Sequence, residues 1–385
     1  MLSMFSAPRE LGRPSSRRRP LPGPAAPRPG ASVPAPVLRT RAGGAMPDAV
    51  CDVAAAADPV AAVLEAHARG GLIALRTSGT TSRPRSVVRT VASWVDSFPA
   101  VSRLTGIGAA SRVWVPGPLS ATMNLFAAVH ARAAGAALTP VPDDATHAHL
   151  TPAVLARCLD AGTDLRGRHV VVAGDRLADA LARRAAAAGV RTSHYYGAAE
   201  LSFVAWGSHA SDLRVFPGVA VRVRGGEIWA RSPFLARGYA GRPGPLRVAA
   251  DGFATVGDRG SLAGGVLTVA GRGGGALVTA GATVLLADVE QVLGRATGGE
   301  VVVVGVEHPR LGAVVAAVLP HPGVLRRARA AARAELSRAQ RPVLWFVEPD
   351  PPLTAAGKVD RAALGERAAA GRLARLPGAE PPVER

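Results

Sequence analysis

From Asp58 to Tyr196 the chain repeats one alternation: a helical pattern of about ten residues, a short apolar run, then a turn. PVAAVLEAHAR (Pro59–Arg69) reads as an amphipathic helix, and GLIALRT (Gly71–Thr77) as a strand running into a Ser/Thr/Gly turn. RVWV, a Pro/Gly loop at Pro116–Pro118 and an alanine-rich helix follow over residues 111–141. His169–Ala173 is a continuous apolar strand, Leu177–Ala188 a helix and Arg191–Tyr196 another strand. Strands separated by helices of this length specify α/β layering with substantial parallel sheet, because a parallel pair needs a crossover connection. After Val215 the texture changes to short strands and glycine turns (VAVRVRGGEIWARS, then VLTVAGRGGG), which predicts an antiparallel or barrel-like section. A compact unit mixing short strands and helices follows the glycine run Gly273–Gly275. The expected organisation is a disordered Arg/Pro-rich arm over 1–45, a large α/β unit over 46–271, a small α+β unit over 272–368 and a disordered tail over 369–385. No internal repeat is visible.

Charge and cysteine content narrow the function classes. The 46 Lys plus Arg against 28 Asp plus Glu give a net charge of +18, yet Lys358 is the single lysine. That imbalance, with 44 Gly and 32 Pro, is what GC-rich codons produce, so the charge is weak evidence for a nucleic-acid partner. Aromatics are only 4% and the arginines are scattered rather than interleaved with stacking residues, which argues against nucleic-acid binding. No apolar run reaches the ~18 residues that a spanning helix needs; Val301–Val318 is broken by Glu307, His308, Pro309 and Arg310. Cys51 and Cys158 form no metal-ligand spacing and read as buried free thiols of a cytoplasmic protein. Residues 1–45 carry eight arginines and one acid, Glu10. That composition resembles an organellar transit peptide, but low hydrophobicity points to a disordered or over-assigned segment upstream of a start at Met46.

Four motifs offer chemistry. Thr77-Ser78-Gly79-Thr80-Thr81-Ser82-Arg83-Pro84-Arg85 begins at a strand end and supplies hydroxyls, a flexible glycine and arginine forks suited to phosphate. It lacks the spacing of a P-loop. Tyr195-Tyr196-Gly197-Ala198-Ala199-Glu200 follows a strand; it offers an aromatic to stack on a base and, in Glu200, a carboxylate for Mg²⁺. Asp258 lies in Val256-Gly257-Asp258-Arg259-Gly260 at a strand-to-turn junction, where a carboxylate accepts from ribose hydroxyls or simply forms a turn; Gly271-Arg272 follows. Pro352-Leu353-Thr354-Ala355-Ala356-Gly357-Lys358-Val359-Asp360-Arg361 holds the lysine.

Taken singly each motif reads equally well as a loop; their order does not. From about Leu72 to Leu364 the chain resembles the adenylate-forming superfamily of acyl-CoA synthetases, luciferases and peptide-synthetase adenylation domains. Gly226-Glu227-Ile228-Trp229 with Gly238-Tyr239, and Val303–Val306 with Leu311-Gly312, resemble further segments of that family. The resemblance implies an enzyme that activates a carboxylic acid with Mg·ATP as an acyl-adenylate and passes it to coenzyme A, with no nucleic acid and no membrane span involved. It implies that Thr77, Ser78, Gly79, Thr80, Thr81 and Arg85 bind ATP phosphates, and that Tyr196 and Gly197 contact adenine. Glu200 would bind Mg²⁺, Asp258 and Arg272 would serve the ribose, and Lys358 would bridge carboxylate and phosphate as the catalytic cation. Met123, Asn124, Leu125, Tyr195 and Phe203 are the acyl-pocket candidates and suggest an apolar acyl group, in the manner of fatty-acid metabolism. Gly273–Gly275 falls where the family places its rotation hinge.

The departures matter as much. Ser82 and Arg85 stand where the clamp usually has Gly and Lys, and Ala199 replaces a hydroxyl residue before the glutamate. Gly274 replaces the usual charged hinge residue, and Pro118–Asn124 lacks its typical histidine. Only 30 residues separate Met46 from Thr77, so much of the family's first α/β subdomain is absent. Short bacterial o-succinylbenzoate–CoA ligases are similar in this respect, as are small fatty-acid–CoA ligase-like proteins sharing the Glu200-Leu201-Ser202-Phe203 core. Two other readings remain: an adenylation enzyme that loads a separate carrier protein, and a degenerate nucleotide-binding paralogue.

Overall fold

The computed structural model describes residues 32–38, 50–77, 85–272, 276–279, 282–308 and 312–377. The glycine run Gly273–Gly275 and the loop 78–84 lie outside them. Local signals set the helix starts. Asp58 accepts from the Val60 and Ala61 N–H groups at 2.9 and 3.0 Å and caps Pro59–Ala68, with proline at a position where its missing N–H costs nothing. Val60, Val63 and Ala66 are buried, one helical stripe against the sheet. Thr151 caps Pro152–Asp160 in the same way.

The fold is mixed α/β. Ala137–Thr139, Arg112–Trp114, His147–Leu150, His169–Val172 and Arg191–Ala198 lie side by side, every neighbouring pair parallel. Val170, Val171 and Val172 are fully buried because helices cover both faces, which is why that strand reads as an unbroken apolar run. At Arg191–Ala198 the pairing changes hand: its other neighbour, Ser202–Gly207, is antiparallel. The section after Val215 continues this 14-stranded sheet as antiparallel strands rather than closing a barrel of its own. A second, five-stranded sheet carries Val50–Asp52, Leu72–Arg76, Ser86–Thr90, Gly238–Ala240 and Val37–Leu38. The large sheet ends at Arg272; a six-stranded sheet begins at Ala276 and is covered by Leu286–Thr297 and Leu325–Glu335.

Two segments expected as disordered are paired instead. Within the arm, Ser32–Pro34 pairs antiparallel with Arg247–Ala249, and Val37–Leu38 pairs parallel with Gly238–Ala240. Ala35 between them is 7% exposed and its N–H donates to Leu246 O at 2.9 Å. The segment is too short to order itself, but two existing sheet edges supply its backbone partners. Within the tail, Leu373 is buried and Ala374–Arg375 adds an antiparallel edge to Leu344–Val347. Among the described residues no helix is long and apolar enough to cross a membrane. Cys51 and Cys158 are free and half-buried.

Removing residues 1–38 strips the partner of Arg247–Ala249 and the Pro36 carbonyl that accepts from Tyr239 N–H at 3.1 Å. The expected outcome is a thermal midpoint lowered by a few degrees; an unchanged midpoint would show that these strands add no stability.

The parallel sheet also buries histidines. His169 Nδ1 lies 2.8 Å from Thr105 O and its Nε2 2.8 Å from Ser193 Oγ; His194 Nδ1 lies 2.9 Å from Val172 O. Burial pulls His130, His169 and His194 down to about 4 and His149 to about 3. These rings are neutral when folded, whereas the unfolded chain binds protons below the ordinary histidine value. Their contribution is therefore complete above about pH 6.5 and is lost as pH falls toward about 4. Thermal melts should be level from pH 8 to 7 and decline steadily from pH 6 to 5; a level midpoint down to pH 5 contradicts this.

Candidate active site

Crevices in α/β sheets form beyond the carboxyl ends of parallel strands, above all where the strand order or direction switches. Here a cavity of about 110 Å³ lies at such a place. Thr122 and Met123 come from the helix after Arg112–Trp114, Gly174 follows His169–Val172 and Ala199 follows Arg191–Ala198. Thr77 follows Leu72–Arg76 of the second sheet, and Lys358 completes the wall from the far end of the chain.

The hairpin that turns the sheet antiparallel is tightly specified. The register slips between Tyr196 and Gly197, and a Cβ on Gly197 would stand 2.1 Å from Ser202 O. Only glycine allows that approach. Ser202 has φ 58°, the single non-glycine residue with positive φ among the described residues. A Leu201 N–H to Ala198 O bond of 3.1 Å closes the turn between them. On one side of it Tyr196 Oη donates to Asp258 Oδ2 at 2.8 Å, and Asp258 is 7% exposed. Asp258 and Arg272 are registered opposite each other in adjacent strands. Tyr196, Asp258 and the Arg272 backbone thus lie together.

On the other side Glu200 is 5% exposed, and its Oε1 accepts from Tyr239 Oη at 2.9 Å. Beneath the turn lies Arg89, fully buried. Its Nε donates to Ser93 Oγ at 2.9 Å, its Nη1 to Ala199 O at 2.9 Å and its Nη2 to Phe234 O. Burial pulls its pKa down to about 9, with the charge of Glu200 opposing the shift. Arg89 gives the buried Glu200 an opposite charge and ties the turn to two other segments. Among the described residues no cluster of three or more His, Cys, Asp or Glu forms a metal cage. One carboxylate is nonetheless what a magnesium–nucleotide site asks of a protein, because the phosphates and water supply the remaining oxygens.

Lys358 reaches the cavity through a docked loop. Thr354 N–H donates to Lys358 O at 2.8 Å, and Thr151 Oγ1 donates to Gly357 O. Gly357 has φ +75°, and a Cβ there would stand 3.1 Å from Val154 Cγ2. The lysine stem crosses Gly174, where a Cβ would meet Lys358 Cε at 3.1 Å. Next to it Arg361 donates to Asp175 at 3.1 Å on one side and to Glu290 at 3.2 Å on the other, bridging the large sheet and the small unit. Burial pushes the Asp175 carboxyl up, but Arg361, the Arg176 N–H and Lys358 together hold it below its ordinary value. Arg157 adds a surface pair to Asp350.

Not every expected residue joins this site. Thr77 lines the cavity, its N–H donating to Arg85 O at 2.8 Å, but the Arg85 guanidinium bonds to Pro243 O at 3.1 Å. Ser78, Gly79, Thr80 and Thr81 lie outside the described residues, as does the Arg272 side chain. Of the acyl-pocket candidates only Met123 is in the cavity wall. Asn124 is 2% exposed, and its Nδ2 donates to Pro118 O at 3.1 Å over Gly117, an architectural role. Leu125, Tyr195 and Phe203 pack in the hydrophobic core. Arg89, Asp175 and the bridging role of Arg361 escaped the sequence reading. Arginine in the apolar run SVVRT and aspartate directly after HVVVAG were the available signals, since a charge in such a setting needs a partner.

This architecture, with its strand-end cavity and its lysine delivered from a separate unit, defines the adenylate-forming class of ligases. The AMP-binding enzyme family model matches residues 73–240. A probable 2-succinylbenzoate–CoA ligase of Mycobacterium tuberculosis is 30% identical over 77% of this chain and 84% of its own length. An uncharacterized acyl–CoA ligase of Bacillus subtilis is 25% identical over 74% of this chain and 66% of its own length. The solved structure of a MenE variant from E. coli with bound OSB-AMS superposes with a TM-score of 0.66 at 26% identity, covering 78% of this chain and 69% of that one. The chain belongs to the AMP-binding family, among its AMP-forming acid–CoA ligases.

Arg89→Lys replaces a planar fork serving three segments with one ammonium, so partners are left unpaired in the core. Urea denaturation should show a loss of about 2–4 kcal/mol; a loss below about 1 kcal/mol contradicts the bridging role.

Proposed function

We propose that this chain is a cytoplasmic ATP-dependent acid–thiol ligase that forms an acyl-adenylate and then a coenzyme A thioester. The observation that carries the reading is Lys358, the one lysine of the chain, standing in a single cavity with Thr77, Met123 and Gly174. In the first step a carboxylate oxygen attacks the α-phosphorus of ATP, and the bond to pyrophosphate breaks with its electron pair leaving on pyrophosphate. Negative charge grows on the α-phosphoryl oxygens and must be met in a nearly dry site, where a fixed cation is most effective. Lys358 serves the carboxylate and the α-phosphoryl group, and the Arg361 bridge to Asp175 holds its loop in place. Tyr196 and Asp258 take adenine and ribose. Glu200 would hold Mg²⁺, which when bound neutralises phosphate charge. In the second step a thiolate sulfur attacks the acyl carbonyl carbon and AMP leaves. For that step the small unit must rotate, and the Arg361–Asp175 pair is the contact that has to open.

Lys358→Ala should lower acid-dependent ATP–pyrophosphate exchange by about 100-fold or more, yet leave thiolation of a supplied acyl-adenylate within about threefold of normal. Near-normal exchange in the variant would sink the Lys358 assignment. Exchange without thioester formation would redirect the acceptor to a carrier protein.

A further inference from the structure

The arm reaches Glu200 by a short chain of hydrogen bonds. Ala35 is buried in the same apolar cluster as Tyr239, Leu246 and Leu201, the residue after Glu200. Its N–H donates to Leu246 O at 2.9 Å, and the Leu246 N–H donates in turn to Tyr239 Oη at 3.0 Å. One residue on, Pro36 O accepts from the Tyr239 N–H at 3.1 Å, and Val37 pairs with Tyr239 in parallel register. That pass needs a bare backbone: Gly238 has φ +146°, and a Cβ there would overlap Pro36 O. The arm therefore grips Tyr239 twice, at its backbone and, through Leu246, at its hydroxyl.

Tyr239 passes that fixation to Glu200. Its side chain is fully buried, and a Cβ on Gly244 would overlap the ring, so close packing leaves the phenol one seat. With Oη accepting from Leu246, the single hydroxyl proton is directed to Glu200 Oε1 at 2.9 Å. The Glu200 backbone is held too, its O accepting from the Ala236 N–H at 2.8 Å. Among the described residues Oε2 has no hydrogen-bond partner, so Tyr239 decides which carboxylate oxygen is engaged and which is offered to a ligand. We propose that Tyr239 is a positioning residue for Glu200 and that Ala35–Val37 of the arm is the strap that holds it, which makes the arm part of the Mg·ATP site. This rests on the ligase reading above, in which Glu200 holds the metal. Partners that orient a metal-binding carboxylate matter: removing one typically costs about 10–100-fold in metal affinity.

The test is calorimetric binding of ATP to the full chain, once with magnesium and once with EDTA and no metal. Tyr239→Phe keeps the ring and removes the hydroxyl. The Kd for Mg·ATP is expected to rise about tenfold while the Kd for metal-free ATP stays within about twofold. A merely structural role weakens both alike; that pattern, or an unchanged Mg·ATP value, overturns the positioning role. Ala35→Asp puts a charge in the buried seat of the arm and should raise the ratio of the two Kd values by about threefold or more. Added to Tyr239→Phe, it should change that ratio by less than about twofold, because both act through one contact. An unchanged ratio in Ala35→Asp, or its full effect again in the double variant, overturns the strap. Should Tyr239→Phe fail to fold, Ala35→Asp decides alone, and an unchanged ratio there overturns the proposal. Wild-type chain that binds Mg·ATP but catalyses no acid-dependent pyrophosphate exchange overturns the ligase reading and leaves the positioning role standing.

Discussion

The site depends on the point where the large sheet changes from parallel to antiparallel. Parallel strands deliver the residues after their carboxyl ends to one edge of the sheet, and this alone gathers Met123, Gly174 and Ala199 from positions far apart in the chain. The hairpin after Arg191–Ala198 then sends Tyr196 toward Asp258 and Glu200 toward Tyr239. That divergence needs the close pass of Gly197 over Ser202 and the positive φ of Ser202. Backbone strain of this kind persists only where the surroundings hold it. Here the holding group is Arg89, bonded to the turn carbonyl of Ala199 from below.

Charge completes what the backbone begins. Arg361 lies between Asp175 of the large sheet and Glu290 of the small unit, so one guanidinium couples the position of the lysine loop to the body that carries the cavity. The Arg361 pKa is held above its ordinary value by the two carboxylates, which outweigh the opposing effect of burial. Under the proposed two-step reaction this bridge is the contact that would hold the lysine loop for adenylation and open for thiolation.

Much of this was legible beforehand. The alternation of apolar runs and helical patterns announced the layered fold, and the ordered motifs announced the family, because each rests on local chemistry: a strand end, a glycine, a carboxylate, one lysine. The acyl side was not legible. Asn124, Leu125, Tyr195 and Phe203 share the composition of a binding pocket, but so does any core, and nothing along the chain says which face of a helix meets a cavity and which meets another ring. The arm was misjudged for a related reason. Ser32–Leu38 is too short, with two prolines, to order itself, and its strands exist because edges at Arg247–Ala249 and Gly238–Ala240 lie ready to pair.

By itself, then, the sequence determined which residues are chemically able to act: it contains a Tyr-Gly-x-x-Glu turn, a Gly-Asp junction and a single lysine, for which no other lysine can substitute. Tertiary structure alone decided which of them face one another and how much space is left between them. Arg89 under Ala199 and Arg361 against Asp175 join segments more than a hundred residues apart, and the rings around Phe126 draw helices and strands from the length of the large unit into one core. Separations of that kind are bridged by sheet topology and close-packing, which depend on the whole chain at once and leave no local mark.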